Sequence, residues 1–344
     1  MKIYYQYALS KTLAPTKGDY VNEIGILTAL SKFAEVFYSG RRFDPSGVPY
    51  GMVDYPGEIH HNVPQDCDLY YVRANRKAFY KAPPGKAKVW MASPFDAECY
   101  RDATAVAAFT QAWADGLTRG DSYRWMPPEE CKPRTNVVNI DQVVGDTFRP
   151  LRKSHKAKEI RASLGGDFVI GHFGRVVKSN YPHALFDTWK TLHATFPNTR
   201  MLFGLTKGAT PALPGMVSRK FHYKDVPYAI SACDIIVLSN WGPEWEICGC
   251  GKALEAAACG VPVVLGRAKA RFELFGEDYP FFVPGLSGPS HRADSRRMTK
   301  LLSRIINNRE LLLPEGEKLR QKAEFFSADQ AAIRLQKLFD RICK

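Results

Sequence analysis

The sequence lacks any long hydrophobic run. None of its apolar stretches approaches the roughly 20 residues that a helix needs to cross a bilayer. The first residues, MKIYYQYALSKTLAP, also lack the apolar segment and the small-residue cleavage site of a secretory signal. We therefore expect a cytoplasmic protein, whose contact with a membrane would be peripheral.

Cysteine patterns typical of a disulfide framework or a zinc site are also missing. The eight cysteines are irregularly spaced, and the chain has no Cys-x-x-Cys pair. Cys248, Cys250 and Cys259 lie close together in sequence, but no histidine stands at ligand spacing beside them. We predict reduced thiols, no metal and no cofactor.

The chain has no acidic surplus, and its basic surplus is unevenly distributed. The formal net charge is +13, of which residues 1–150 carry +1 and the rest of the chain +12. Part of the excess recurs on one predicted amphipathic helix near the end of the chain: Arg292, Arg296, Arg297, Lys300, Arg304 and Arg309. We interpret this helix as having a solvated basic face, with nucleic-acid binding as the alternative.

Strand and helix patterns alternate in the first half of the chain. Residues 2–7, 68–73 and 88–92 have strand character, and residues 105–117 are predicted to be helical. A further helix is predicted from four apolar residues that share one face: Ile24, Leu27, Leu30 and Phe33. This alternation predicts an α/β fold with a parallel sheet covered on both faces.

The second half repeats the alternation. It predicts a strand and loop over residues 168–179, strands at 200–203 and 234–238, a helix at 183–196, and a helix through Cys259 followed by the buried strand VPVVLG. Ser327 followed by Gln330 is a helix-capping signal that predicts a helix over residues 328–342. We place the domains at residues 1–150 and 151–326, with residues 327–344 as a C-terminal helix.

The residues best suited to chemistry lie between Trp241 and Gly266. Gly249 and Gly251 lead into a helix whose unpaired N–H groups and dipole favour a phosphate group. Glu255 lies about one turn into that helix, while Glu244 and Glu246 precede it. Carboxylates accept hydrogen bonds from sugar hydroxyls, so the pattern suits a ligand that carries both phosphate and sugar. Taken alone, it equally suits a structural glutamate that complements the helix dipole.

The run EAAACGVPVV, which begins at Glu255, resembles the donor-site signature of GT-B glycosyltransferases, particularly the retaining family 4. The resemblance implies two Rossmann-like parallel-sheet domains facing a central cleft, with the C-terminal helix crossing back towards the N-terminal domain. It also implies that Glu255 binds the donor ribose. Glu246 would lie by the donor sugar, with Glu244 as the alternative.

A second stretch, GHFGRVVK at residues 171–178, is similar to the strand and loop that contact the nucleotide diphosphate in that family. The similarity implies this role for Arg175 and Lys178. Two cations facing a helix N-terminus would stabilise the departing diphosphate without a metal. Gly18 stands where the family has a glycine-rich turn near the reaction centre. The histidine that often follows the family's strand is replaced by residues 93–96, SPFD.

The resemblance implies transfer of a sugar from a nucleoside diphosphate sugar to a hydroxyl acceptor, with retention of configuration. The acceptor would be a glycan, a lipid-linked or a small molecule, and it would meet the N-terminal half. One alternative is glycosylation of a modified DNA base, which the basic charge favours and the nearly neutral N-terminal half opposes. The other is a non-catalytic protein that binds nucleotide sugars.

Overall fold

The chain folds into two compact units. The computed structural model describes residues 1–7, 18–39, 63–73, 76–91, 97–119, 136–140, 142–176, 182–238, 250–283 and 291–344. The N-terminal unit contains Met1–Gly145 and Phe325–Lys344, and the C-terminal unit contains Asp146–Trp245 and Cys250–Glu324. Each unit is built on one six-stranded sheet.

The N-terminal sheet is parallel throughout. Its unit contains, in chain order, β1 (Lys2–Tyr7), α1 (Gly18–Ser31), β2 (Glu35–Ser39), β3 (Leu69–Arg73), α2 (Arg76–Lys81), β4 (Ala87–Met91), α3 (Ala97–Asp102), β5 (Ala105–Ala108), α4 (Gln111–Arg119) and β6 (Asn136–Asn139). The strand order is β2-β1-β3-β4-β5-β6, a flavodoxin-like order. The chain adds β2 on one side of β1 and β3 on the other, so the strand order reverses between β1 and β3.

The C-terminal sheet is parallel as well. Its unit contains α5 (His155–Leu164), β7 (Phe168–Val176), α6 (His183–Thr195), β8 (Thr199–Gly208), β9 (Met216–Arg219), α7 (Val226–Ser231), β10 (Ile235–Val237), α8 (Gly251–Ala258), β11 (Val263–Gly266), α9 (Lys269–Phe275), β12 (Phe282–Val283), α10 (His291–Asn307) and α11 (Leu312–Glu324). The strand order, β12-β11-β10-β7-β8-β9, is that of a Rossmann sheet. The predicted pair of Rossmann-like sheets is thus confirmed.

The last helix, α12 (Ala328–Ile342), belongs to the N-terminal unit. Its first turn is capped by Ser327, whose Oγ accepts a hydrogen bond from the backbone N–H of Gln330 at 3.3 Å. Leu335 and Phe339 are buried in the same core as Leu30 of α1, against which the helix packs. The capping signal therefore predicted this helix correctly, and its return to the N-terminal core is confirmed.

The predicted basic helix is α10. Its apolar residues, among them Leu302 and Ile305, are buried, while the described cations on it are exposed: Arg296, Arg297, Lys300 and Arg304. Arg309 lies beyond the helix, in a short 3₁₀ turn. The interpretation as a solvated face is confirmed for these four side chains.

One predicted helix is wrong in its first part. Residues 105–108 form the buried strand β5, which pairs with β6 from Ala105↔Asn136 onwards, and the helix begins at Gln111. The sequence Ala-Val-Ala-Ala favours a helix by local propensity, but a four-residue apolar run buried on both faces fits a central parallel strand.

No helix in the described ranges has the length and apolar character that crossing a membrane requires. The six cysteines within these ranges carry free thiols.

Candidate functional site

The candidate site lies where the C-terminal sheet reverses its strand order, between β7 and β10. These two strands pair in parallel at Ile170↔Ile235 and Gly171↔Ile236. From here the chain proceeds outwards to β8 on one side and to β11 on the other, so the connections after β7 and β10 diverge. In open α/β sheets, this divergence leaves a crevice outside the carboxyl ends of the strands, where ligands bind.

Helix α8 brings its N-terminus to this carboxyl edge of the sheet. The helix connects the parallel strands β10 and β11, so it runs back against their direction and begins beside their carboxyl ends. Cys250 occupies the N-cap position and makes no capping hydrogen bond with its side chain. The positive end of the α8 dipole therefore lies at this edge, where it favours an anion.

Glu255 is held on α8 close to that N-terminus. The residue is 2% exposed, and its Oε2 accepts a hydrogen bond from Nζ of Lys252 at 2.6 Å. Burial raises the pKa of the Glu255 carboxyl, and the charge and hydrogen bond of Lys252 act in the opposite direction. The helix thus carries a buried carboxylate with its own counter-ion one turn away.

The surroundings of the helix N-terminus are electropositive. Burial raises the pKa of the Cys250 thiol, while the Arg271 guanidinium and the N–H groups of Lys252 and Ala253 oppose this rise. Arg271 is itself 3% exposed and donates from Nη1 to the carbonyl of Gly266, at the end of β11, at 2.7 Å. A buried guanidinium and helix N–H groups at one location favour a negatively charged ligand.

His172 on β7 forms a hydrogen bond with the backbone of β10 beside the site. Its Nδ1 lies 2.9 Å from the carbonyl oxygen of Val237, which can only accept, so this nitrogen carries the proton. Burial lowers the pKa of His172 to about 4, and the ring is therefore neutral at physiological pH. Its position indicates a structural role in holding the two strands together.

The structure places two of the predicted site residues on one helix: Gly251 begins α8 and Glu255 follows one turn later. Arg175 lies near the carboxyl end of β7, at the same edge of the sheet, although its side chain is outside the described set. Gly18 is the first residue of α1 in the N-terminal unit. The remaining candidates lie outside the described residues: Lys178, Glu244, Glu246 and Gly249.

Sequence reasoning missed three residues at this edge: Lys252, Arg271 and His172. A lysine three residues before Glu255 is a visible signal, because side chains at that spacing meet on a helix. Arg271 bonds to the end of β11 and His172 bonds to β10. These contacts form only when the chain is folded, so local sequence does not predict them. Across the described ranges, no group of three or more potential metal ligands occurs.

Comparison with known proteins adds to this geometry. No protein-family model and no curated protein sequence matches the chain. HepE from Anabaena, solved in complex with UDP and glucose, superimposes with a TM-score of 0.69 at 14% identity, covering 99% of this chain and 100% of HepE. A glycosyltransferase from Rickettsia africae also gives a TM-score of 0.69, at 12% identity over 100% of this chain and 98% of its own.

A UDP-N-acetylglucosamine 2-epimerase assigned in Listeria monocytogenes gives a TM-score of 0.57 at 13% identity, covering 98% of this chain and 94% of its own. Together with the two parallel sheets, these likenesses show that the chain has the GT-B fold.

Proposed function

We propose that this chain is a glycosyltransferase that moves a sugar from a nucleoside diphosphate sugar to a hydroxyl acceptor, and that the C-terminal unit binds the donor. The observation that carries the proposal is the buried carboxylate of Glu255 next to the N-terminus of α8, at the strand-order reversal of a GT-B fold. A carboxylate beside an anion-binding helix end suits a ligand in which a ribose adjoins a diphosphate.

In this proposal each part of the donor meets a different group. Glu255 accepts hydrogen bonds from the ribose hydroxyls, and Gly249 and Gly251 let the diphosphate approach the backbone at the start of α8. Arg175 and Lys178 bind the diphosphate, and Glu246 lies by the donor sugar. The acceptor meets the N-terminal unit near Gly18. HepE was solved with UDP, which makes UDP-sugars the first donors to test.

The chemistry requires stabilisation of a departing anion. As the bond between the anomeric carbon and the diphosphate oxygen breaks, its electron pair passes to the diphosphate. The acceptor oxygen bonds to the anomeric carbon, and the acceptor's hydroxyl proton passes to the departing diphosphate oxygen. The N–H groups of α8, together with Arg175 and Lys178, stabilise the negative charge that develops on the leaving diphosphate. We propose that the reaction proceeds with retention and needs no divalent metal, since these groups supply the positive charge.

The experiment is a panel of UDP-, GDP-, ADP- and TDP-sugars, first for thermal stabilisation and then for release of the free nucleoside diphosphate. We expect one nucleotide class to stabilise the protein and its sugar to be transferred or slowly hydrolysed, with EDTA present. Binding without any turnover would indicate a nucleotide-sugar-binding protein. Conversion of the sugar with the nucleotide still attached would indicate an epimerase, and loss of activity in EDTA restored by Mg²⁺ would contradict the metal-free chemistry.

A second class of acceptor, nucleic acid, is favoured by one observation, the exposed basic face of α10. Phosphate contacts through such a face would make binding to an oligonucleotide fall steeply as salt is raised. Titration of a duplex at two salt concentrations measures this directly, and absence of binding at low salt would exclude such an acceptor.

A further inference from the structure

The position of Lys252 on α8 is unfavourable for a cation. Lys252 is the second residue of the helix, where the positive end of the helix dipole favours negative charge. Its ammonium group is nevertheless turned onto the helix, 2.6 Å from Oε2 of Glu255. Only 22% of the Lys252 side chain and 3% of the Glu255 side chain are exposed. The pair is therefore a largely desolvated ion pair at the candidate donor site.

A buried carboxylate needs such a partner to stay ionised. Removing a carboxylate from water disfavours its charged form, and an adjacent cation restores it. Among the described residues, no group other than Lys252 donates a hydrogen bond to Glu255. The bond uses Oε2, which leaves Oε1 for a donor group that comes from a ligand.

The charged groups on neighbouring elements do not take over this role. Helix α11 packs on α8, but its charged side chains pair chiefly with one another, as Lys318 does with Glu315 at 2.6 Å. Asp225, which precedes α7, is paired with Lys156. The thiols on either side of Glu255, Cys250 and Cys259, have pKa values raised by burial and are uncharged. Arg271 acts on Cys250, whereas Lys252 is the described cation that acts on Glu255.

We propose that Lys252 is a positioning residue that keeps Glu255 ionised and oriented, so that the carboxylate can accept hydrogen bonds from both ribose hydroxyls of a nucleoside diphosphate. This inference rests on the proposed function of the site, in which Glu255 is the ribose ligand. An ionised carboxylate only accepts hydrogen bonds, whereas a protonated one presents an O–H to the hydroxyls and loses an acceptor. Lys252 thus acts on ribose recognition through Glu255.

The test is titration of UDP and 2′-deoxy-UDP at several values between about pH 5.5 and pH 8.5. The wild type should prefer UDP by roughly tenfold at the alkaline end and keep this preference to a lower pH than Lys252→Met does, because the lost hydrogen bond is made to a charged group. In Lys252→Met the pKa of Glu255 rises further. The preference should then be retained at the alkaline end and lost as the pH falls through that pKa, while Lys252→Arg keeps the wild-type profile.

A double variant separates action through Glu255 from direct contact with the diphosphate. In a Glu255→Gln background, Lys252→Met should change UDP affinity by less than about twofold, since the charge that it serves is gone. An equal loss in both backgrounds would overturn the inference and assign Lys252 to the phosphates. A Lys252→Met protein whose preference has the same pH profile as that of the wild type would also overturn it, while leaving the proposed function intact.

Protein stability gives a readout that needs no nucleotide. A carboxyl whose pKa is raised in the folded state contributes stability at low pH that is lost as the pH rises towards that value. Lys252→Met should therefore lose more stability than the wild type between about pH 5 and pH 8, and adding Glu255→Gln should remove the difference. Equal pH dependence of the wild type and Lys252→Met would overturn the inference. If Lys252→Met alone fails to fold but the double variant folds, the same charge compensation is supported.

A wild-type protein that binds no nucleotide while these stability results hold would instead refute the proposed function. The proposed role of Lys252 in ribose recognition would then be refuted as well.

Discussion

The two sheets differ in the side chains that pack where the strand order reverses. In the N-terminal unit, the neighbouring strands β1 and β3 face each other with tyrosines at two successive positions. The rings of Tyr5 and Tyr71 meet edge to face at 4.9 Å, and those of Tyr4 and Tyr70 lie 5.9 Å apart. All four residues are at most 1% exposed. Large aromatic side chains therefore fill both faces of this sheet where its strand order reverses.

In the C-terminal unit, a glycine and a hydrogen-bonded histidine occupy the equivalent position on β7. Gly171 faces Ile236 across β7 and β10, and a Cβ on it would lie 2.6 Å from Ile236 Cδ1 and 2.7 Å from Cys233 Sγ. The next residue, His172, bonds to the β10 backbone. This unit also buries the Glu255 carboxylate. At the strand-order reversal the N-terminal sheet therefore packs aromatic rings, whereas the C-terminal sheet combines close packing at a glycine with a buried, hydrogen-bonded histidine.

The largest expected effect comes from breaking the aromatic packing of the N-terminal sheet. Tyr71 is 1% exposed, contacts Tyr5 and Phe339 by its ring edges, and donates from its hydroxyl to Met91 Sδ at 3.1 Å. Tyr71→Ala should lower the free energy of unfolding by about 3–5 kcal/mol, as large-to-small core changes do. Chemical denaturation measures it, with Tyr71→Phe as the control that keeps the ring. A loss below about 1 kcal/mol would contradict the packing account.

A smaller effect is expected at the ligand side of the C-terminal sheet. If Arg175 on β7 binds the diphosphate, Arg175→Ala should weaken nucleoside diphosphates by about 1.5–3 kcal/mol and leave nucleosides nearly unaffected. Isothermal titration with UDP and uridine compares the two. Arg219→Ala on β9, which removes an arginine bonded to Ser163 Oγ, is the matched control. Equal losses for UDP and uridine would place Arg175 outside the site.

The smallest expected effect tests the close packing at the strand-order reversal. Gly171→Ala should destabilise the C-terminal unit by about 1–2 kcal/mol, because the added methyl must displace neighbouring side chains. Ile236→Val removes the Cδ1 that the methyl would meet, so the double variant should recover part of the loss. Thermal unfolding of the three variants gives the comparison. A double variant no more stable than Gly171→Ala alone would show that another contact sets the cost.

The sequence predicted the elements whose signals are local. Helix α12 was predicted from the Ser327 cap, and long strands such as β7 from their apolar runs. Residues 105–108 were wrongly predicted to be helical, because a short alanine-rich run is compatible with both a helix and a buried strand. The strands β9 and β12 are too short, at four and two residues, to show periodicity.

At the candidate site, the motif resemblance indicated Glu255 and Gly251, which lie on one helix, but it did not indicate the ion pair. Lys252 and Glu255 are three residues apart, yet what makes the pair consequential is its burial, which depends on the packing of α11 and β11 around α8. Likewise, His172 acquires its partner only when β7 and β10 pair. Tertiary packing decides these features, and local sequence does not report it.

The central claim is that the C-terminal unit recognises a ribonucleotide through Glu255. The most direct measurement is titration of the wild type and Glu255→Ala with UDP, or the nucleoside diphosphate found in the donor panel, and with its 2′-deoxy form. We expect the wild type to prefer the ribonucleotide by about 1–3 kcal/mol, and Glu255→Ala to bind both forms equally and more weakly. A Glu255→Ala protein that discriminates as the wild type does, with only a modest drop in melting temperature, would contradict it.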